Sequence, residues 1–523
     1  MKSIQTTLFI LLFACTLGAQ NEIVEDGALP ESELHTAINP NDSNNIVLAV
    51  MKGTFDSDTF SRISIYYTKD YGNTWQKSAF IGKSTGTFGG GDPVLAFDRN
   101  GRVYLVSLTL TPEPDFDIRT LLSWSDDGGA TWTTKALKDG TDKPWFAIDR
   151  SPLSPFVDRK YIPEATDEFE CLAISPADIV LGSTNPAGGD YDFAQLASVD
   201  IQADGDVFVG FYHEKGNQFG LSVARSTNGG ISFAPEVKVA NTTMNIFTSI
   251  TGIVERLNLS PYLAIDRSNG IYKDRIYYSY TDNEPGANGM FDIYLSWSDN
   301  DGATWTAPKK VHEGTPAGTQ QFYSSIYVTD NGTLLLGWYD RRNDPNDKLT
   351  DFYLGISNDG GETFQEVKIT STPSDFSTIG LINTGFGIGD YGQIIATAHT
   401  ALPFWSDGRT NDGDMNVYFA RIPLDGQQVS VPEISTVSEL VSFGQPYPVP
   451  AAEYVTVPFT LRRSERLIAT LLAPDGKLLS RQDMGVFSTG ANLLNLSTAA
   501  WDGPLYLKLE TGNGVLKTFK IRS

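Results

Sequence analysis

The stretch Ser125-Asp126-Asp127-Gly128-Gly129-Ala130-Thr131-Trp132 decides how this chain folds. Its pattern, Ser/Thr-x-Asp/Asn-x-Gly-x-Ser/Thr-aromatic, suits a tight hairpin, because the carboxylate or amide accepts backbone N–H groups and the glycine adopts a positive φ angle. The pattern returns at 68–75, 226–233, 298–305 and 357–364, each time between two short strands. We call these segments the five motif turns and expect them to shape the backbone, not to catalyse a reaction.

The spacing of the motif turns predicts repeated four-stranded units of about 50 residues. A strand that ends in Asp-x-x-Gly or a similar turn precedes each copy, as in 94–101 and 262–270. Each unit therefore contains strand A, a turn, strand B, a loop, strand C, the motif turn and strand D, which is typical of a β-propeller. The predicted fold class is all-β, a seven-bladed propeller with four-stranded antiparallel blades followed by a small C-terminal β-sandwich.

Two features of the repeat bear on the number of blades. The gap between the second and third motif turns holds two units, so a blade at about 142–189 is expected to lack the motif. If that segment is an insertion instead, the ring has six blades. The last unit lacks a fourth strand of its own, and Glu22–Val24 is expected to supply it and so to remove an open sheet edge.

The chain divides into four segments by composition. Residues 1–19 have a positive start, a short apolar run and small residues before the cleavage point, which is typical of a secretory signal peptide. Residues 20–425 form the predicted propeller, 426–442 a polar linker, and 443–523 a β-sandwich of short alternating strands. Beyond the signal, no stretch is long and apolar enough to predict a transmembrane span.

The formal net charge of -24 argues against nucleic acid as a partner, because phosphate binding needs clustered lysine and arginine. We expect a monomer that meets an extracellular glycan or glycoprotein. The acidity is compatible with a solvated surface or with a groove that binds cations.

The order of strands in a blade indicates which face carries function. The loops between strands B and C share one face with the connections between blades, and the motif turns lie on the other face. The candidate residues of the first face are Glu33, Asp92, His213, Glu214, Asp340, Arg341, Arg342, Asp390, Tyr391, Asp407 and Arg409. Asp142 and Lys143, at the start of another strand A, are expected on the same face.

The five motif turns make residues 30–425 resemble the sialidase or BNR-repeat (Asp-box) superfamily. The resemblance implies arginines that bind a sugar carboxylate, with Arg341, Arg342 and Arg409 as candidates. It also implies a tyrosine nucleophile and an acid, for which Tyr391 and Asp390 are candidates. The further candidates are Asp340 for catalysis, and Glu33, Asp92, His213, Glu214 and Asp407 for substrate binding.

The chain departs from that family at one point. Sialidases carry Arg-Ile-Pro on the first blade, whereas the first strand here reads Glu33-Leu34-His35. Three hypotheses therefore stay open: an exo-sialidase-like glycosidase, another glycoside hydrolase or lyase acting on acidic sugars, and a non-catalytic carbohydrate- or protein-binding propeller. The two Asp-x-Arg loops have the alternative interpretation of salt bridges between blades.

Two loops rich in aspartate and asparagine are candidates for Ca²⁺, which prefers oxygen ligands. One contains Asp344 and Asp347, and the other contains Asp412 and Asp414. The second also fits a simple hairpin. No cofactor is expected to be required.

The C-terminal segment resembles the sorting domain of Bacteroidetes type IX secretion. The resemblance rests on 447–451, a hairpin at Gly476, 503–506 and the terminal 517–522. It implies the type IX machinery as a partner and a location that is secreted or attached to the outer-membrane surface. An ordinary carbohydrate-binding sandwich is the alternative.

Overall fold

A computed structural model shows two compact units, which divide between Gly426 and Gln427. The described residues are 21–24, 29–53, 61–80, 88–111, 117–165, 169–244, 248–250, 252–283, 290–316, 318–379, 388–410, 413–424, 441–443, 454–461, 465–472, 478–497, 504–511 and 514–522. The predicted signal peptide and nearly all of the predicted linker lie outside these ranges. Within the described part of the chain, no helix is both long and apolar enough to cross a membrane.

The first unit is a seven-bladed β-propeller with four-stranded antiparallel blades, as predicted. The strand β1 (Glu22–Ile23) belongs to the last blade. Blade 1 contains β2 (Glu31–Asn39), β3 (Asp42–Gly53), β4 (Ser61–Thr68) and β5 (Gln76–Lys77). Blade 2 contains β6 (Phe88–Phe97), β7 (Val103–Leu110), β8 (Ile118–Ser125) and β9 (Thr133–Asp139). Blade 3 contains β10 (Ala147–Ile148), β11 (Lys160–Glu164), β12 (Glu170–Ile174) and β13 (Val180–Thr184).

The remaining blades follow the same order. Blade 4 contains β14 (Phe193–Ile201), β15 (Val207–Lys215), β16 (Gln218–Ser226) and β17 (Val237–Thr242), and an inserted hairpin of β18 (Thr248–Ile250) and β19 (Ile253–Leu257) follows it. Blade 5 contains β20 (Tyr262–Ile265), β21 (Ile276–Asn283), β22 (Phe291–Ser298) and β23 (Lys309–Lys310). Blade 6 contains β24 (Gln321–Val328), β25 (Leu334–Asp340), β26 (Asp351–Ser357) and β27 (Gln365–Lys368), before a 3₁₀ turn at Phe376–Thr378. Blade 7 contains β28 (Gln393–Ala396), β29 (Thr400–Asp407) and β30 (Asn416–Phe419), with the short β31 (Ile422–Pro423) pairing with β29.

The N-terminal strand closes the ring, as expected from the missing fourth strand of the last unit. In β1, Glu22 pairs with Phe419 and Ile23 with Tyr418 of β30. The segment without a motif turn is a complete blade 3, so the six-bladed alternative is wrong. It is a blade because its four strands pair in the same antiparallel order as those of the other blades, with a different turn between β12 and β13.

The motif turns share one set of hydrogen bonds. In all five, the glycine N–H donates to the first Ser/Thr hydroxyl at 2.9–3.0 Å. The last Ser/Thr N–H donates to the Asp/Asn Oδ1 atom, also at 2.9–3.0 Å. The hydrogen bonds of these side chains thus stabilise the turn between strands C and D.

The start of strand A has an unusual backbone in every blade. One residue there adopts a positive φ angle of 43–90°: Glu33, Asp92, Lys143, Leu196, Ser260, Tyr323 and Gly389. In blades 1, 2, 4 and 6 the pairing of strands A and B shifts register close to this residue. A bulge of this kind turns a side chain out of the regular alternation of the strand. The ring therefore has seven equivalent positions at which a side chain is re-aimed.

The core of the propeller lies between neighbouring blades. Leu34 and Leu48 of blade 1, for example, share an apolar cluster with Phe404 and Phe419 of blade 7. Removing this apolar surface from water stabilises the closed ring at about 25 cal/mol per Å².

The second unit consists of two sheets around an apolar core that includes Val457, Leu471 and Leu494. One sheet has the order β32–β33–β36 and the other β35–β34–β37–β38. The strands are β32 (Val441–Phe443), β33 (Tyr454–Leu461), β34 (Glu465–Leu472), β35 (Leu478–Phe487), β36 (Gly490–Ser497), β37 (Pro504–Thr511) and β38 (Gly514–Arg522). Of the segments behind the sorting-domain resemblance, 447–451 and Gly476 lie outside the described residues.

Candidate functional site

Four ionisable side chains from four blades meet at the centre of the ring. The Lys143 Nζ atom lies 3.6 Å from Glu33 Oε1 and 3.6 Å from Asp92 Oδ1. It also forms an ion pair with Asp390. Three of these residues occupy the positive-φ position of blades 1, 2 and 3, and Asp390 directly follows that position in blade 7. We call Glu33, Asp92, Lys143 and Asp390 the central cluster.

The segment after the inserted hairpin holds Asp390 in place. The Asn258 Nδ2 atom donates to Asp390 Oδ1 at 3.0 Å, and the Ser260 hydroxyl donates to the Asp390 carbonyl at 3.0 Å. The Asn258 oxygen in turn accepts the Ser260 N–H at 2.8 Å. All three residues are buried, so the orientation of the Asp390 carboxylate is defined from two sides.

Aromatic rings form a layer beside the central cluster. The Trp145 ring lies 4.7 Å from the Tyr262 ring and 5.5 Å from the Tyr391 ring, between centroids. These three rings, with Asp92, Lys143 and Asp390, line a small pocket. Trp145 and Tyr262 also border a wider cavity, which is lined by residues from strand A of all seven blades.

Burial raises the pKa of two acids in this region, Glu33 and Asp142. Burial raises the pKa of Glu33 well above its usual value; Lys143 opposes the shift, while Asp92 and Asp390 add to it. Burial, reinforced by Asp92, raises the pKa of Asp142 to about 6. The site therefore combines a Glu33 carboxyl group whose protonated form burial favours with an Asp390 carboxylate that pairs with a lysine ammonium.

Tyr391 is a neutral phenol in this environment. Its hydroxyl donates to the Pro93 carbonyl at 3.2 Å. Burial raises the pKa of Tyr391 well above its usual value, and the Glu33 and Asp92 carboxyls raise it further. The residue thus lies at the predicted place, but its surroundings oppose the ionisation that a tyrosine nucleophile requires.

Arg341 has a partner set inside blade 6. It is fully buried, and its guanidinium donates to Thr350 Oγ1 at 3.1 Å and to the Asp347 carbonyl at 2.9 Å. The group also lies 5.3 Å from the centroid of the Phe322 ring. Burial lowers the pKa of Arg341 to about 10. Its described contacts hold the loop that follows β25.

Arg342 and Arg409 occupy equivalent places in blades 6 and 7, within a shared Trp-x-Asp-x-Arg pattern. The Trp338 Nε1 atom donates to Asp340 at 2.8 Å, and the Arg342 guanidinium pairs with the same carboxylate at 2.7 Å. Arg342 also lies 4.4 Å from the Tyr353 ring centroid.

In blade 7 the same bonds join Trp405 to Asp407 at 2.7 Å and Arg409 to Asp407 at 2.5 Å. Arg409 lies 4.2 Å from the Tyr418 ring centroid. These ion pairs lie within a blade, so the alternative of salt bridges between blades does not describe them. Arg342 also donates to the Glu313 carbonyl in the connection from blade 5, and Arg409 donates to Asn21 and to Ser371 in the connection from blade 6. None of these described contacts joins an arginine to the central cluster.

His213 and Glu214 lie at the end of strand B in blade 4. His213 stacks on Tyr191 with centroids 4.2 Å apart, its Nε2 atom lies 2.9 Å from the Ser222 hydroxyl, and burial lowers its pKa. Glu214 accepts the Tyr212 hydroxyl at 2.6 Å. The described contacts of both residues are thus made within blade 4 and the connection that precedes it.

The candidate Ca²⁺ ligands accept hydrogen bonds from the protein. Asp344 accepts the backbone N–H groups of Lys348 and Leu349 at 3.1 and 2.7 Å, and Asp347 accepts that of Gln320 at 2.9 Å. Asp414 accepts the Met415 N–H at 2.9 Å, and Asp412 lies outside the described residues. Within the described ranges, no group of three or more His, Cys, Asp or Glu side chains is arranged to hold a metal ion.

Asn258, Trp145 and Tyr262 were not among the residues that the sequence placed on the functional face, whereas Lys143 was. Lys143 carried a usable signal, because it stands at the start of strand A in blade 3, as Glu33 and Asp92 do in blades 1 and 2. Asn258 carried no such signal, since it comes from an insertion that the repeat does not define.

No protein-family model and no curated protein matches this chain. Solved structures with a similar fold include a protein of unknown function from Dyadobacter fermentans, with 13% identity, coverage of 77% of this chain and 98% of that chain, and a TM-score of 0.46. The GH93 α-L-arabinofuranosidase of Fusarium graminearum in complex with arabinobiose has 11% identity, coverage of 78% and 98%, and a TM-score of 0.44. Trypanosoma rangeli sialidase has 11% identity, coverage of 94% and 83%, and a TM-score of 0.43. The function is therefore inferred from the residues of this chain.

Proposed function

We propose that this protein is an extracellular, glycan-acting propeller that hydrolyses glycosidic bonds at the central cluster. The observation that carries the proposal is the meeting of Glu33, Asp92 and Asp390 around Lys143, next to an aromatic layer. Most glycosidases use one protonated and one ionised carboxyl group on either side of the scissile bond. In the central cluster, burial favours the protonated form of Glu33, and Lys143 pairs with Asp390.

The roles follow from the surroundings of each carboxyl group. Glu33 is the proposed general acid, because burial raises its pKa and so favours its protonated form. Asp390 is the proposed base or nucleophile, because the Lys143 ammonium and the Asn258 amide stabilise its charged form. Asp92 is close enough to Glu33 to hold it in position and to oppose its ionisation.

A non-catalytic glycan-binding propeller is the second candidate. The observation that favours it is the engagement of Lys143 with the carboxylates of Glu33, Asp92 and Asp390, which fills the centre with internal ion pairs. A sialidase or a lyase for acidic sugars remains the finer hypothesis of the family resemblance. Such an enzyme would need arginines that bind the sugar carboxylate. The described contacts of Arg341, Arg342 and Arg409 hold these side chains away from the central cluster.

The proposal is tested by screening the purified protein for release of reducing ends from plant, bacterial and animal glycans, alongside binding to a glycan array. Glu33→Gln and Asp390→Asn are each expected to lower kcat at least about 1,000-fold, because they remove the acid and the base. Asp126→Asn is the matched control, since this carboxylate pairs with Arg102 on the surface and should keep full activity.

Thermal unfolding of all variants separates loss of function from loss of fold. Glycan binding without any turnover would replace hydrolysis with the second candidate. Turnover that survives both central substitutions would reject the site itself.

Export is part of the proposal and rests on the sequence of the two ends. The signal-like residues 1–19 support passage through the inner membrane, and the resemblance of the last 80 or so residues supports type IX export with release or surface attachment. N-terminal sequencing of the protein from culture medium and outer membranes tests it. A chain retained in the cytoplasm with residues 1–19 intact would reject it.

A further inference from the structure

We infer that the sugar unit recognised in the central pocket is uncharged rather than acidic. The inference rests on the proposed glycan-binding role of the pocket and specifies its substrate class. It departs from the acidic sugar that the family resemblance implies.

Acidic side chains predominate around the pocket. Asp92 and Asp390 line it, Glu33 lies within the same ion-pair set, and Asp142 directly precedes Lys143 in the chain. Lys143 is the one basic side chain among the described residues that line the pocket. Four acidic groups thus surround a single ammonium group, and a substrate carboxylate would add a fifth.

The Lys143 ammonium already has ion-pair partners. Its side chain is 13% exposed and faces three carboxylates of blades 1, 2 and 7. A carboxylate on the substrate would have to displace one of these partners and leave it buried without a cation, which is costly. A neutral hydroxyl group needs no such exchange, because it can donate to Asp92 or Asp390 and accept from Lys143.

A site for acidic sugars usually offers guanidinium groups, but the candidate arginines of this chain have other partners. Arg342 and Arg409 pair with Asp340 and Asp407 and lie against Tyr353 and Tyr418. Freeing either one would leave a fully buried aspartate without its ion-pair partner.

The aromatic layer also favours a neutral sugar. Trp145, Tyr262 and Tyr391 line the pocket together with Pro144, Leu196, Ala197 and Pro261, and most of its small exposed surface is apolar. Ring faces suit the C–H face of a neutral pyranose or furanose, whereas they give nothing to a carboxylate.

The test uses matched pairs of substrates that differ only in one carboxylate. We would measure kcat/KM for the p-nitrophenyl glycosides of galactose and galacturonic acid, glucose and glucuronic acid, in both anomers, together with 4-methylumbelliferyl sialoside. In parallel, the binding of the free sugars to the Glu33→Gln variant would be measured by ligand-observed NMR. We expect an uncharged member to be preferred over its acidic partner by at least about 100-fold, the size of penalty that an extra buried charge brings.

A charge variant gives a second readout. Asp92→Asn removes one negative charge from the pocket, so the preference for the uncharged member should fall about tenfold, whatever happens to the absolute rate. Asp126→Asn removes a charge on the other face and should leave the preference unchanged.

The outcomes separate the two proposals. Turnover or binding that favours a uronic or sialic acid would overturn the inference and leave glycan action standing. A lack of both turnover and binding for every sugar would reject the glycan-acting function and this inference with it.

Discussion

At the scale of single residues, the neighbours of a side chain determine its role, so that two aspartates of this chain have different roles. Asp340 accepts hydrogen bonds from Trp338 and Arg342 and anchors a loop. Asp390 faces a lysine and a pocket instead. Both are aspartates on the same functional face of the sequence repeat, so only their contacts distinguish an anchoring residue from a candidate catalytic one.

A second buried acid lies beyond the central cluster, in blade 3. The Glu164 side chain is fully buried, and its Oε2 atom accepts the Thr120 hydroxyl at 2.8 Å. Burial raises the pKa of Glu164 to about 7. A raised folded-state pKa means that the stabilisation is complete below the unfolded-state pKa and is lost as pH rises toward 7.

We therefore expect the free energy of unfolding to fall between pH 5 and pH 8. Glu164→Gln should reduce this fall by about 2 kcal/mol, because glutamine cannot ionise. Urea unfolding at several pH values measures the effect, with the exposed Glu362→Gln as control. An unchanged pH dependence in the Glu164 variant would show that another group is responsible.

At the scale of elements, the start of strand A and the inserted hairpin build the site together. The positive-φ residue directs side chains of blades 1, 2 and 3 toward the centre. The segment that follows the hairpin β18–β19 then fixes Asp390 through Asn258. Asn258 is thus a positioning residue, which acts on substrate only through the Asp390 carboxylate.

Asn258→Ala removes a donor to the charged form of Asp390, so the pKa of that carboxylate should rise. We expect kcat to fall about tenfold with little change in KM, and the acid limb of the pH–rate profile to move to higher pH. Asn331→Ala, whose amide donates to the Ala398 carbonyl at 3.2 Å on the other face, is the matched control. A fall in stability without any shift of the acid limb would leave Asn258 a purely structural role.

At the scale of the whole propeller, ring closure depends on a strand of two residues from the N-terminal end. The Val24 N–H extends the pairing of β1 by donating to the Val417 carbonyl at 3.0 Å. Arg421 adds an ion pair to Glu22. Without this strand, β30 would present an open edge and blade 7 would lack its fourth strand.

A chain that begins at Leu29 should therefore be less stable than one that begins at Asn21, by about 2–4 kcal/mol for a few backbone hydrogen bonds. Differential scanning calorimetry measures the change. Glu22→Gln, which keeps the strand but removes the ion pair with Arg421, should retain most of the stability. Equal melting temperatures for the two chain lengths would show that blade 7 holds without β1.

The sequence by itself determined the architecture of the propeller. Turn chemistry and strand alternation are local properties, so five motif turns and one period sufficed to predict the blades and the closing strand, and alternation alone predicted the strands of the small sandwich. The same repeat predicted a functional face, because the order of strands in a blade determines which loops lie together.

Only the tertiary structure decided which residues on that face meet. Glu33, Asp92, Lys143 and Asp390 are far apart in the chain, and closing the ring brings them into contact at equivalent backbone positions. Burial then raises the pKa of the Glu33 carboxyl, and contacts outside the central cluster engage the arginines that had suggested an acidic sugar. Both effects depend on neighbours in space, which a local pattern does not specify.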